Sequence, residues 1–493
     1  MYKKTCLILF ILTVTFSCKK SDTDRFSPKN FDGDILAIEN GLLPAMVLKG
    51  EKILHFSLTE QMELHKVPGV SIAVVDNGEL VVAKGYGMAN TTTKTEVDVN
   101  TLFQAASISK LITALAVLKL MEDGHVNLDT DVNTYLKSWK VPENKFTTNQ
   151  KVTLRRLLTH SAGVTVHGFP GYKRTDAFPS TLEVLNGEGN TDKIKVDTIP
   201  GMIARYSGGG YTIIQQVIED ISETKFEDYM EANILTPLGM TNSTFKQPLP
   251  KGLFDQASAA YDDEGNILDG YWHNYPEKAA AGLWTTPIDL AKYTVAIQDI
   301  MQGDEDGLLQ PETVKQMLSK GKFQHGLGPG IAKEADSLIF KHGGKNAGFT
   351  NRLVAFANKG QALIIMTNGD NGGRLLSDIE RAVSKHFNWN LNKTKVIDPV
   401  PLSQEYLERL TGTYKYIKPV ERVGGDYIVK ARIEHNNLAV FDIPDNEDFH
   451  FVATDSLKFI DIEKNEHINF KKADSTYTLW WDNQFEFKKI EDN

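Results

Sequence analysis

Cysteine is nearly absent from this 493-residue sequence, with Cys6 and Cys18 the only two. That excludes a disulfide framework and any thiolate-built metal site. An excess of basic charge is missing too. Lys and Arg number 54 against 64 Asp and Glu, a formal net charge of -10. No basic stripe carries interleaved aromatics, so nucleic acid is excluded as a partner. The twelve histidines form neither His-Glu-x-x-His nor a Cys/His cluster, so no metal site is expected. The run Gly208-Gly209-Gly210 lacks the Lys-Ser/Thr ending of a phosphate loop. It reads instead as close backbone approach beside a substrate cleft. Internal repeats and low-complexity tracts are absent.

What is present suits a folded protein of more than one domain. Hydrophobic residues make up 41% and aromatics 9%, enough for globular cores, and the length implies two or three of them. The chain opens with Lys3 and Lys4 and a short apolar run, Leu7 to Val14. That run falls well short of the roughly 20 residues needed to span a bilayer, and reads as a signal segment. Thr15-Phe16-Ser17-Cys18 resembles a bacterial lipobox. The resemblance implies a signal peptide over 1–17, cleavage before Cys18 and lipid on its thiol. The alternative is ordinary signal cleavage with an incidental cysteine. The polar stretch that follows reads as a tether over 18–34 between lipid and enzyme.

Folding signals begin near Ile35. Gly69 to Gly87 holds two β-branched runs around Asn77-Gly78, a strong hairpin signal. A second hairpin is predicted over Arg352 to Asn368, turning at Asn358-Lys359-Gly360. The sequence between them is mostly helical, including Ser107 to Asp123, Tyr211 to Ile221 and Pro287 to Met301. Thr286 is positioned as an N-cap for the last of these. Strands at both ends with helices between predict one sheet closed by the two ends. After a loop over Asn390 to Ser403, short alternating runs predict a small antiparallel barrel or meander over 404–493.

The chemistry starts from a weak pattern. A Ser-x-x-Lys pair sets both side chains on nearly one helix face, and a serine hydroxyl needs a nearby base to act as nucleophile. A lysine serves where burial disfavours its charged form. Five such pairs occur, starting at Ser17, Ser107, Ser222, Ser243 and Ser319. Only Ser107 opens a helix, and the residues after Lys110 (LITALAVLKLM) are apolar on nearly every side, as in a buried helix.

Phe103 to Gly124 (FQAASISKLITALAVLKLMEDG) resembles the nucleophile helix of class C β-lactamases and related esterases and peptidases. Four further segments match in the family's order: LLTHSAG from Leu157, RYSGGGY from Arg205, AAGLWTTPID from Ala280 and HGGKNAGF from His342. The sequence is thus similar to the serine β-lactamase/penicillin-binding-protein superfamily over roughly residues 50 to 390. The resemblance implies Ser107 as acylated nucleophile, Lys110 as its activating partner and Tyr206 as a phenol sharing proton transfer. It places the oxyanion hole at the backbone amides of Ser107 and Lys345, and substrate contacts at Gly208, His342 and Gly344. His160 is expected to make a structural hydrogen bond in its loop.

Two positions depart from the family. Gly208 stands where many members have Asn, so a substrate-holding amide is missing. His342 stands where Lys usually begins the Lys-Thr-Gly element, with Gly343 in place of its hydroxyl residue. Protonated, His342 would bind a carboxylate or relay a proton near neutral pH.

The resulting expectation is an α/β (α+β) enzyme over 35–395, an antiparallel sheet flanked by helices plus a helical subdomain, followed by the all-β module. It would hydrolyse peptide, D-aminoacyl or ester substrates through a Ser107 acyl-enzyme, without metal or organic cofactor. A β-lactamase is the alternative within this chemistry. A noncatalytic envelope binder that keeps the cleft as a sensor is the alternative outside it. The expected location is the bacterial cell envelope, lipid-anchored and periplasmic or surface-facing.

Overall fold

The computed structural model describes residues 22–321, 324–334, 336–418, 420, 425–473 and 476–490. The signal segment and Cys18 lie outside these residues.

The first hairpin forms from β1 (Gly69–Asp76) and β2 (Glu79–Asn90). Its turn residues have positive φ, 51° at Asn77 and 74° at Gly78, which is why Asn-Gly is favoured there. A short β3 (Thr95–Glu96) pairs with the end of β2. A long, largely helical excursion follows, including α1 (Ser109–Glu122), α2 (Gly208–Ser222), α3 (Lys278–Ala281) and α4 (Pro287–Met301). At its N-cap, Thr286 Oγ1 accepts from the Asp289 amide at 3.2 Å. The chain returns to the sheet as β4 (Gly330–Glu334), β5 (Ser337–Asn346), β6 (Phe349–Phe356) and β7 (Gln361–Thr367). β7 pairs antiparallel with β1, setting Ile364 opposite Ala73. The seven-stranded sheet has the order β3-β2-β1-β7-β6-β5-β4, so the two ends of the domain meet at its centre.

Both faces of this sheet are covered, and alternation sends neighbouring residues into different cores. Val70, Ile72 and Val74 pack in one cluster with Leu375, Ile379 and Val383 of α5 (Gly372–His386). Ala73 and Val75 join the larger cluster that contains Leu290 of α4 and the helical excursion. α1 runs through this second core, with every residue from Ser109 to Leu118 buried.

Two stretches are more ordered than their composition implies. Residues 25–34 fall within the expected tether, yet Arg25 Nε donates to the Gly78 carbonyl at 3.0 Å and its guanidinium pairs with Asp299. Asn30 exchanges two hydrogen bonds with the Ala83 backbone. These polar side chains are consumed on the first hairpin and α4 rather than solvated, so the docked chain begins by Arg25. The loop expected over Asn390 to Ser403 contains Lys395–Ile397, paired in parallel with Met46–Leu48.

A short helix, α6 (Gln404–Glu408), leads into the C-terminal module. Its strands are β8 (Gly412–Tyr416), β9 (Ile428–Glu434), β10 (Asn437–Asp442) and β11 (Glu447–Asp455). They continue as β12 (Lys458–Asp461), β13 (Glu466–Ala473), β14 (Thr476–Trp481) and β15 (Phe485–Ile490). Each pairs with the next, and β8 pairs with β15 to close an eight-stranded barrel. The module is therefore a barrel, not an open meander. Tyr414, Val429, Val440, Phe451, Phe470 and Leu479 fill its interior.

Candidate active site

Ser107 lies on a single 3-10 turn, Ala106–Ile108, directly ahead of α1. Ala106 has φ 51°, a left-handed conformation that a non-glycine residue holds only under tertiary constraint. The constraint is visible: the Ala105 amide donates to the Leu283 carbonyl at 2.8 Å and the Ile108 amide to the Ala105 carbonyl at 3.1 Å. The turn leaves Ser107 partly exposed, whereas Lys110 is 2% exposed.

Three-residue spacing brings the pair together. Lys110 Nζ lies 3.0 Å from Ser107 Oγ and donates to the Ala280 carbonyl at 2.7 Å. The same nitrogen is 5.0 Å from the ring centre of Tyr206 and 5.5 Å from that of Tyr211. α1 also fixes the segment that supplies the carbonyl. Thr113 Oγ1 donates to the Ala279 carbonyl at 3.0 Å, and Ser109 Oγ accepts from the Leu283 amide at 3.1 Å.

Tyr206 arrives on the irregular segment before α2. Next to it, Ser207 caps that helix by accepting the Gly210 amide at 2.9 Å. The Ser207 amide donates to His160 Nδ1 at 3.2 Å, and the His160 and Tyr206 rings lie 4.3 Å apart. Arg205, on the other side of Tyr206, pairs with Asp197 and donates to the Gly163 carbonyl. His160 thus makes a loop hydrogen bond that holds the residue after Tyr206. Burial, and secondarily the Lys110 ammonium, hold its pKa well below the ordinary histidine value. A neutral ring accepting at Nδ1 carries its proton on Nε2.

The opposite wall is β5. β4 pairs with it only as far as Lys341, opposite Gly330, so the edge from His342 to Asn346 continues past the end of β4. This edge runs against the turn that carries Ser107: a Cβ on Gly344 would collide with the Ala105 carbonyl. Only glycine permits that approach. Asn346 Nδ2 donates to Gln104 Oε1 at 2.7 Å and to the Ala281 carbonyl at 3.1 Å, while Asn351 Nδ2 donates to the Gln104 carbonyl at 2.8 Å. The Ser107 and Lys345 amides belong to these two adjoining segments. The Lys345 ammonium is engaged with the Asp370 carboxylate and carbonyl, rather than freely solvated.

His342 differs from the charged form considered from its sequence position. Its Nδ1 donates to the Gly343 carbonyl at 2.6 Å, leaving Nε2 as an acceptor. Burial and then the Lys110 ammonium push its pKa down to about 3. That shift favours the uncharged ring, which has no cation to offer a carboxylate. Around Gly343, by contrast, the nearest atom to an added Cβ is the Asn351 carbonyl at 3.8 Å. Nothing there excludes a larger residue.

Two site neighbours carry no motif in the sequence. Phe169 lies against Gly208, where an added Cβ would sit 2.8 Å from its Cε2. His325 packs edge-on against His160 at 5.1 Å, and with Tyr206 and His342 it lines a cavity of about 670 Å³. A lone aromatic or histidine in a loop has no periodicity to betray it.

The Ser107–Lys110 turn, Tyr206 ahead of α2 and the His342 end of β5 thus lie together. The sequence pattern of the Beta-lactamase family fits residues 57–386. The chain belongs to that family. Among curated relatives, Protein flp of Staphylococcus aureus (strain N315) is 29% identical over 224 residues, 45% of this chain and 42% of that one. The match thus spans less than half of that relative. Among solved structures, the octameric penicillin-binding protein homologue from Pyrococcus abyssi superposes with a TM-score of 0.58 at 21% identity, covering 87% of this chain and 98% of that one. The D-amino acid amidase from Ochrobactrum anthropi, solved with L-phenylalanine amide, gives 0.53 at 20% identity over 66% of this chain and 97% of that one. At these identities the likeness is one of fold.

Proposed function

We propose that this β-lactamase-family protein is a serine hydrolase acting through an acyl-enzyme on Ser107. The observation that carries the reading is the 3.0 Å approach of Lys110 Nζ to Ser107 Oγ, with the lysine buried and tied to the Ala280 carbonyl. In its free-base form Lys110 takes the hydroxyl proton as Oγ attacks the substrate carbonyl. The Ser107 and Lys345 amides stabilise the oxyanion. Tyr206, beside Lys110, passes a proton to the leaving group, and water then releases the acyl group by the reverse route. Gly208, Gly344 and His342 border the substrate, His342 as a neutral hydrogen-bond partner.

Peptide, D-aminoacyl and ester substrates fit this site better than β-lactams. Phe169 fills the space at Gly208 where an amide side chain would hold a lactam, and His342 lacks the positive charge that would pair with its carboxylate. The amidase among the fold neighbours accords with amide substrates. A lipid on Cys18 would hold the enzyme on an envelope membrane, facing periplasm or cell exterior. The test is labelling with a fluorophosphonate. Tryptic mapping should find the adduct on Ser107 alone, and Ser107→Ala should abolish it with the fold intact. Full hydrolysis of every substrate by Ser107→Ala would remove the proposal.

A further inference from the structure

The C-terminal end of α5 and the segments around Leu43 and Thr394 border a cavity of about 420 Å³. Those segments run into the parallel pair of Met46–Leu48 with Lys395–Ile397. Arg381, Lys385 and Lys393 line the cavity, and no Asp or Glu borders it. Arg381 is 5% exposed; its Nε donates to the Leu43 carbonyl at 2.9 Å and its Nη2 pairs with Asp378. Lys385 and Lys393 are exposed, and neither ammonium has an ion pair among the described residues. Carboxylates on the flanking elements are engaged elsewhere: Asp398 with Lys49, Asp34 with His386, and Glu334 with Asn390 at 3.4 Å. Glu51 stands exposed beside Lys52, outside the walls. In a chain of formal net charge -10, a basic cavity without a bordering carboxylate is a local exception that suits an anion.

Its rim is apolar. Ile53 borders the cavity and is 36% exposed, Leu54 after it is 58% exposed, and Val396, two residues beyond Thr394, is 62% exposed. Large apolar side chains beside lysines suit a membrane surface, where the former enter the headgroup boundary and the latter meet anionic lipid. A free phosphate has no use for such a rim.

The cavity lies at the end of the sheet from which the N-terminal chain departs. Trp389, between Asn388 and Asn390 of the lining, donates from Nε1 to Asp76 Oδ1 at 3.2 Å. The turn after Asp76 receives Arg25 at the Gly78 carbonyl. Seven residues lead from Cys18 to Arg25, a reach of at most about 25 Å when extended. A lipid on Cys18 would therefore bring this end of the domain to the bilayer. Here Val75 of β1 pairs with Ala362 of β7, whereas the active-site edge of β5 turns into β6 at Asn346 and Phe349, at the other end.

We infer that this cavity seats the anionic headgroup of a membrane phospholipid, with Ile53, Leu54 and Val396 at the acyl boundary. The Ser107 end of the sheet is then held on the side away from the bilayer. The contact does not rest on the chemistry at Ser107, and it does not need a lipid on Cys18. The mature chain from residue 18, with Cys18→Ala so that it carries no lipid, should be sedimented with vesicles of phosphatidylcholine alone or with equimolar phosphatidylglycerol. It should bind the anionic vesicles about tenfold more tightly or more, and the difference should fade as salt screens the lysines. Lys385→Gln with Lys393→Gln should weaken that binding about tenfold or more, at roughly fivefold per lysine. Ile53→Ser with Val396→Ser should weaken it as well. Lys193→Gln with Lys195→Gln, exposed on the helical excursion, removes the same charge and should leave binding unchanged. Equal binding to both vesicles, equal loss in the two lysine pairs, or capture of inorganic phosphate in place of vesicles would overturn the inference.

Discussion

The ring of Phe169 stands where a side chain at Gly208 would have to go, 2.8 Å from the position of its Cβ. A side chain at Gly208 therefore needs the Phe169 ring to move. Gly208→Asn should cost about 1–3 kcal/mol through overpacking, measured by chemical denaturation. Adding Phe169→Ala should recover part of that loss, so the two changes will be non-additive. Equal costs with and without the ring would show that Phe169 is not the obstacle. Wild-type protein should turn over p-nitrophenyl esters or D-aminoacyl anilides faster than nitrocefin, and selective, rapid nitrocefin hydrolysis would reverse the substrate preference.

Lys110 has no water-exposed alternative to its contacts with Ser107 and the Ala280 carbonyl. Lys110→Ala should slow acylation ~100- to 10,000-fold, the usual range for loss of general-base assistance. Stopped labelling assays read this directly. Lys110→Met, which keeps the bulk in the core, should be as slow while melting close to wild type. Tyr206→Phe should slow turnover too, with the larger effect on product release.

Glu277 is fully buried at the start of α3, with neither carboxyl oxygen hydrogen-bonded among the described residues. Burial raises its pKa from 4.5 to about 8. A folded-state pKa above the unfolded one means the native protein binds the extra proton, so its stability is kept below pH 4.5 and lost as pH rises towards 8. Glu277→Gln should therefore melt higher than wild type at pH 8, by an amount on the order of 2–4 kcal/mol. The gap should close by pH 5. A pH-independent difference would mean that the carboxyl is ionised in the fold.

Membrane attachment through Cys18 predicts a lipid-modified cysteine at the mature N-terminus, seen by mass spectrometry. Cys18→Ala should move the protein from the membrane to the soluble fraction. An unmodified N-terminus beyond Cys18 in native material would contradict the anchor.

Several parts of this architecture are legible without coordinates because local rules set them. Asn77-Gly78 dictates a hairpin through backbone sterics alone. Three-residue spacing on an apolar helix presents Lys110 to Ser107 whatever surrounds them. The barrel is less legible: Glu447–Asp455, Glu466–Ala473 and Phe485–Ile490 carry many charged residues on their outward faces. These hide the inward alternation of Phe449 and Phe451, Ile468 and Phe470, and Phe487.

By itself, then, the sequence determined the pairing of Ser107 with Lys110, the hairpins at both ends of the sheet and the family resemblance, all of which depend on residues close together along the chain. Only the tertiary structure decided that Phe169 stands against Gly208 and that burial and the neighbouring Lys110 lower the His342 pKa. Those properties arise from contacts between distant segments, where packing and desolvation act on neighbours that no local pattern names.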